Sequence, residues 1–299
     1  MHTKKISISV ALLQNGSSYI CLKRKNKLYY KYIEFPGGKL LPGETESNCL
    51  IREIKEELDI KVTKFKFIGA IKHLYDDLLI KINVFKIFKY DGYIHSNEGR
   101  EIIMYNSISN FNILPTHNRI LKLIKLPRLL KILTIDDFNN NEVLDITHYS
   151  SIRLRGISYD FYKKYIKNKL IFQKFSGNIF VDYPYNLVWE DHYHGIHFTS
   201  NNLHSFEQYN KDSRTIYSAS CHTEDDINLC NKKLLDFILI SPVLRSHNMH
   251  SAVKWSRFSE LSECSYLPTY ALGGLSSQTN DYQKCIEHNG FGIAGISEI

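Results

Sequence analysis

Between residues 6 and 12 apolar and polar side chains alternate, Ile6-Ser7-Ile8-Ser9-Val10, before the apolar pair Ala11-Leu12. A period of two predicts a strand with one face buried. The period changes after Pro42-Gly43: from Thr45 to Leu58 the apolar residues Leu50, Ile51, Ile54 and Leu58 recur at helical spacing. A helix turns about 100° per residue, so these four form a stripe while Glu53, Glu56 and Glu57 fall together on an adjoining face. Gly37-Gly38 and Pro42-Gly43 punctuate the loop that leads in. Farther on, apolar runs at 130–133, 151–154, 178–181, 195–198, 215–218, 237–240, 269–272 and 292–296 are separated by helix-sized gaps. Eight such runs predict a (β/α)₈ barrel, and a stretch this short makes it a small one. The charged, turn-rich passage from Lys125 to Pro127 is the expected junction, giving domains at 1–126 and 127–299.

Three carboxylates on one helical face repel one another, so a cation is expected there, and a hard, oxygen-seeking ion such as Mg²⁺ fits best. The spacing is specific: Gly38, five residues, Glu44, seven residues, then Arg52-Glu53-Ile54, one residue, Glu56-Glu57, one residue, Asp59-Ile60. It resembles the Nudix box. The family usually has Gly where this chain has Asp59, and Asp tolerates a left-handed helix end better than most residues. Within that family the chain is most similar to the bacterial, mutator-type 8-oxo-dGTP diphosphatases, over residues 4 to about 125. The likeness includes Glu34-Phe35-Pro36-Gly37-Gly38-Lys39, the strand at 6–12, and Leu114-Pro115 followed by Asn118.

The resemblance implies an N-terminal Nudix α/β/α sandwich that hydrolyses 8-oxo-dGTP to 8-oxo-dGMP and pyrophosphate, removing oxidised purine nucleotides before they cause replication errors. It implies Mg²⁺, or Mn²⁺ in its place, held by Glu53, Glu56, Glu57 and a backbone carbonyl of Gly37 or Gly38. Glu53 is the first choice for activating the attacking water and Glu98, in Asn97-Glu98-Gly99, the second. Arg52 and Glu44 are read as a structural ion pair. Lys23, Glu34, Phe35, Pro36, Gly37 and Asn118 are the implied substrate-binding residues, with Arg24 beside Lys23. The bland alternatives stay open: Asn118 as a helix cap, Glu98 as a surface glutamate, Phe35 as core, Lys23 and Arg24 as solvated charges.

The second half carries Gly195-Ile196-His197, Ser220-Cys221-His222-Thr223, Ser241-Pro242-Val243, Gly273-Gly274-Leu275 and Gly292 to Ser297, in that order. Together they resemble the thiamine-phosphate synthase and thiazole tautomerase superfamily. The resemblance implies a TIM-type barrel and a phosphate site at Gly273, Gly274, Gly295 and Ser297. Where synthases have an Asn-Asp pair this chain has Asp182-Tyr183, and where they have a metal-binding acid it has Thr199-Ser200-Asn201-Asn202. Arg155 matches the family's arginine, Ile157 replaces its lysine and Pro242 the tautomerase histidine. The expectation is a barrel without synthase activity. The alternative function is therefore a Nudix hydrolase of another nucleotide, or of a thiamine-related diphosphate, with the barrel binding a phosphate ligand or regulating its neighbour. His192, His194 and His197 lack the spacing of a closed zinc site.

The fold expected overall is mixed α/β and α+β. Six cysteines, at 21, 49, 221, 230, 264 and 285, have no paired spacing and read as reduced thiols in the cytoplasm. The first apolar run alternates and is a strand, not a signal peptide, and none approaches the roughly 20 residues of a membrane span. A formal charge of +7 suits an anionic substrate such as a nucleoside triphosphate, while its dispersed lysines, without an aromatic-interleaved stripe, argue against nucleic acid. Oligomeric state is not legible.

Overall fold

The computed structural model describes residues 4–25, 29–75, 77–106, 111–140, 146–167, 174–188, 192–208, 212, 214–244, 252–297 and 299. Two compact units divide the chain, Met1–Lys125 and Leu126–Ile299.

In the first unit β1 (Lys4–Asn15) extends the alternating run at both ends. It runs parallel to β6 (Leu78–Asp91) and antiparallel to β2 (Ser18–Lys23) and β4 (Gly37–Lys39). The sheet is completed by β3 (Ile33–Glu34), β5 (Lys61–Tyr75) and β7 (Ile102–Tyr105), in the order β3-β2-β1-β6-β5 with β4 on β1 and β7 on β2. Helix α1 (Glu46–Leu58) has Thr45 as its N-cap, the hydroxyl accepting from the Asn48 N–H. At the other end Asp59 takes the left-handed conformation expected of it (φ 53°, ψ 28°) and donates its N–H to the Lys55 carbonyl. Leu50, Ile54 and Leu58 are buried against Ala11, Leu13, Leu22, Phe85 and Ile87, each worth roughly 1.5–3 kcal/mol. Ile51 is exposed, so the apolar stripe is narrower than its sequence suggests. Helix α2 (Pro115–Leu123) follows a parallel bridge between Ile113 and Ile33.

The second unit is a closed barrel of eight parallel strands: β8 (Leu129–Leu133), β9 (Ser151–Leu154), β10 (Asn178–Asp182), β11 (Gly195–Phe198), β12 (Ile216–Cys221), β13 (Phe237–Ile240), β14 (Thr269–Leu272) and β15 (Gly292–Gly295). Each expected run has become one strand. Helices α3 (Ile135–Asn140), α4 (Tyr159–Phe161, continuing as a π-helix to Ile166), α5 (Glu224–Lys233), α6 (Lys254–Cys264) and α7 (Asp281–Glu287) connect them. After β10 and β11 the described residues of the gaps hold 3₁₀ segments, Tyr185–Val188 and Ser200–Gln208. Ser200-Asn201-Asn202 opens the second, and such side chains compete for the backbone and disfavour an α-helix. Among the described residues no helix is long and apolar enough to cross a membrane.

Alternate strand residues such as Ile196, Phe198, Ala219, Ile238 and Ile240 form the apolar layer under the helices, leaving the others for the barrel interior. Phe180, Phe237 and Tyr270 fill that interior, with ring centroids 5.6 and 4.9 Å apart. Gly195 leaves room for them: a Cβ there would lie 2.3 Å from the Phe180 ring. Near the strands' C-terminal ends the filling turns polar. Arg153 donates Nε to Asp182 Oδ1 at 2.7 Å and Nη2 to Oδ2 at 3.0 Å, both residues buried. His197, also buried, lies 2.9 Å from the hydroxyls of both Ser218 and Ser220. Burial, with Arg153 and Arg155 nearby, holds its pKa well below the ordinary histidine value, so the ring is neutral.

Replacing one partner of the Arg153–Asp182 pair strands the other charge in a dry interior. Asp182→Asn is expected to destabilise the barrel by about 3–5 kcal/mol, and Arg153→Met combined with Asp182→Leu by less than either single change. Denaturant unfolding of the three variants checks the order.

Candidate active site at the glycine turn

Helix α1 and strand β4 meet at the acidic face, and Arg52 organises the outer part of it. Its guanidinium grips Glu44 through Nε and Nη2 (2.9 and 3.0 Å) and also reaches Glu53 at 2.8 Å, Glu56 at 3.1 Å and the Lys39 carbonyl at 3.0 Å. The hydrogen bond from Arg52, followed by that from the Leu41 N–H, lowers the Glu44 pKa. The expected Arg52–Glu44 pair is thus one corner of a larger cluster.

The glycines have separate reasons. Gly37 sits opposite Val10 on β1 at φ 140°, and a Cβ there would lie 2.1 Å from the Ser9 carbonyl oxygen. Gly38 makes space for a carboxylate: its missing Cβ would fall 2.3 Å from Glu53 Oε1. One turn along the helix, Glu57 accepts the Gly37 N–H at 2.8 Å.

Glu57 is the buried member of the three acids and Glu56 the exposed one. Burial pushes the Glu57 pKa up to about 7, with the Gly37 N–H and Arg100 pulling against it. Arg100 donates to Glu57 at 2.6 Å and to Glu34, and Glu34 also pairs with Arg24. Nothing in the sequence pattern pointed to Arg100 except its place two residues after Glu98.

The other candidate residues surround this core unevenly. Glu98 is exposed in its loop; its carbonyl accepts from Lys25 Nζ at 3.0 Å. Lys23 is ion-paired with Glu101. Pro36 is buried, its carbonyl accepting the Ala11 N–H at 2.8 Å. Phe35 is also buried, edge-on to Tyr19 (5.8 Å) and stacked on His117 (5.5 Å, 25°). Burial, with Arg24 nearby, brings the His117 pKa down to about 3, leaving a neutral ring on the face of Phe35. The cap alternative for Asn118 is corrected: α2 starts at Pro115 behind Leu114, because Pro suits a first helical turn. Asn118 lies exposed within the helix, its N–H bonded to the Leu114 carbonyl at 3.1 Å.

In the barrel Gly273 (φ 111°) and Gly274 (φ 72°) form the turn leaving β14. Gly295 ends the neighbouring β15 and is covered by Ile299, whose Cγ1 would lie 2.3 Å from an added Cβ. The Ser297 carbonyl accepts from Lys131 Nζ at 2.6 Å. Arg155, just beyond β9, makes no side-chain hydrogen bond or ion pair with another described residue. Burial and the charge of Arg153 draw its pKa below the ordinary guanidinium value.

Comparison with family models matches residues 3–105 to the NUDIX domain and residues 150–299 to thiamine monophosphate synthase. The chain joins a Nudix domain to a member of the thiamine monophosphate synthase family. Its Nudix half is 36% identical over 88 residues to the 8-oxo-dGTP diphosphatase of Buchnera aphidicola subsp. Schizaphis graminum, covering 29% of this chain and 66% of that protein. It is 29% identical over 104 residues to the Escherichia coli 8-oxo-dGTP diphosphatase (32% of this chain, 77% of that protein). With the E. coli CTP pyrophosphohydrolase it shares 22% over 101 residues (33% and 75%).

Nudix hydrolases generally use divalent metal ions, and the donors here fit one. Glu34, Glu44, Glu53, Glu56 and Glu57 share the guanidiniums of Arg24, Arg52 and Arg100. Two carboxylates are thereby in excess, all offering hard oxygen donors. Among the described residues no three metal-binding side chains converge at ligand spacing; the acids turn instead to guanidiniums and the Gly37 N–H.

The glycines separate fold from chemistry. Gly37→Ala, strained at its φ and against the Ser9 backbone, is expected to lower stability by at least about 2 kcal/mol. Gly38→Ala, whose nearest contacts are the atoms of the Glu53 carboxylate, should stay folded and lose divalent-ion binding. Thermal melts and calorimetric Mn²⁺ titrations of both variants read the two effects separately.

Proposed function

We propose that the Nudix domain is a Mg²⁺-dependent pyrophosphohydrolase of nucleoside triphosphates, with 8-oxo-dGTP its preferred substrate and nucleotide-pool sanitation, protecting DNA replication, its role. The observation that carries the reading is the placement of Glu53 and Glu57 against the Gly37-Gly38 turn with negative charge in excess. Two kinds of relative support it unequally, one named for the oxidised purine and one for CTP, so substrate preference is the point to test.

The phosphoanhydride is ringed by anionic oxygens that repel a nucleophile. A bound divalent ion supplies charge neutralisation and a more acidic water. Glu53, held beside Gly38, is the residue proposed to take the proton of the attacking water, with Glu98 second. Arg52 keeps Glu53 and Glu56 oriented from the helix side. Lys23 and Arg24 lie where β2 ends, and Asn118 presents an amide that can donate and accept at a purine edge. Phe35 is proposed to support the base from beneath His117. The site is read as cytoplasmic and as needing no nucleic acid or membrane.

The barrel favours a second, separate role as a phosphate-ligand module. Its support is the left-handed Gly273-Gly274 turn after β14 together with the guanidinium of Arg155 beyond the same end of β9, with β15 and β8 between the two strands. That guanidinium makes no hydrogen bond or ion pair with another described residue. With Asp182 committed to Arg153, synthase chemistry is not proposed.

Mg²⁺-dependent pyrophosphate release from 8-oxo-dGTP, dGTP and CTP is the decisive assay. A strong preference for the oxidised base is expected, with Glu53→Gln slower by about 10²-fold or more; equal turnover of dGTP, or a preference for CTP, overturns the assignment of substrate. For the barrel, calorimetry with thiazole phosphate and thiamine phosphate is expected to give heat that Arg155→Ala removes. Absence of heat with both reduces the barrel to scaffold.

A further inference from the structure

Arg100 stands at a junction that the family resemblance did not anticipate. It is mostly buried, and its three donor positions are all engaged: Nη1 on Glu57, Nη2 on Glu34 and Nε on the Lys23 carbonyl at 3.3 Å. Glu34 is held from its other side by Arg24, so charges alternate in a chain Arg24, Glu34, Arg100, Glu57 that ends on the most buried acid of the α1 face.

The backbone around Arg100 is docked on the same acid. Asn97 donates its N–H to the Glu57 carbonyl at 3.2 Å, His95 donates to the Leu58 carbonyl at 3.3 Å, and the Arg100 N–H is taken by Ser96 Oγ at 2.8 Å. Residues 95–100, which include Glu98, are therefore fastened to the end of α1 by main-chain bonds and to the Glu57 side chain by one guanidinium. A divalent ion ligated by Glu57 and a guanidinium 2.6 Å from the same carboxylate repel each other strongly at this depth.

We propose that Arg100 is the internal counter-cation of the hydrolase site, neutralising Glu57 until a divalent ion arrives, and that its release from Glu57 couples ion binding to the loop carrying Glu98. This rests on the hydrolase reading above. Arg100 acts through Glu57 and is a positioning residue; displaced from Glu57 it keeps its partner in Glu34, so the loop is re-aimed without being set free.

The test is Mn²⁺ affinity of the full chain without nucleotide, read from the electron-spin resonance of free Mn²⁺, for wild type, Arg100→Lys, Arg100→Gln and Glu53→Gln. Removal of a competing charge is expected to tighten binding in Arg100→Gln by about fivefold or more, with Arg100→Lys, which keeps the charge, close to wild type. Unchanged or weaker binding by folded Arg100→Gln overturns the proposal. Should that variant fail to fold, the guanidinium ¹⁵N resonance of Arg100 in the wild type must shift on Mg²⁺ addition, and a stationary signal is equally fatal. Binding lost in Glu53→Gln but indifferent to Arg100 would leave the hydrolase reading intact and remove only this inference. Absence of Mn²⁺ binding by every variant would remove both.

Discussion

Mutual repulsion among five carboxylates gathered around one glycine turn is the constraint that the Nudix half is built to contain. Glu34, Glu44, Glu53, Glu56 and Glu57 come from β3, from the loop before α1 and from the helix itself, and each is held by a guanidinium. Arg52 does this from within the helix, holding Glu53 and Glu56 within about one turn and Glu44 in the loop just before it. Arg100 does it from across the fold. The two modes have different consequences, because a charge held by its own helix moves with it, whereas one supplied by a loop can be exchanged without disturbing the scaffold.

Much of this was legible in the chain. The helix, its acids, the paired glycines and the left-handed end at Asp59 all follow from local rules of spacing and backbone preference, and local rules survive the absence of a structure. Eight apolar runs sufficed for the barrel because parallel strands buried on both faces read as continuous apolar stretches. Arg100 and His117 were not legible. Arg100 is 43 residues from Glu57 in sequence, and His117 reaches Phe35 only because Ile113 pairs with Ile33. The cap alternative for Asn118 is excluded because Pro115 has already begun the helix, and Ile51 faces solvent because Cys49, Leu50, Ile54 and Leu58 seat α1 without it.

The barrel solves a related electrostatic problem differently. It buries Arg153 and Asp182 as a fully hydrogen-bonded pair, with Asp182 also accepting the Gly156 N–H at 3.1 Å, so the carboxylate has both oxygens occupied. That is a poor arrangement for recruiting an ion and a good one for holding β9 to β10. Arg155, two residues along the same chain, stands outside this closure, making no side-chain hydrogen bond or ion pair with another described residue.

Strand β1 supplies no ligand to the acidic site, yet it is bonded to β4 through Ile8, Ser9 and Val10 and to β6 along ten further pairs. A one-residue insertion there would slide the glycine turn by about 3.3 Å and reverse which face each side chain meets. Lengthening the loop around Pro42 and Gly43 would leave both untouched. Evolutionary freedom in this domain should therefore be distributed by pairing partner more than by distance from the chemistry, with an apparently featureless strand among the segments least able to change length.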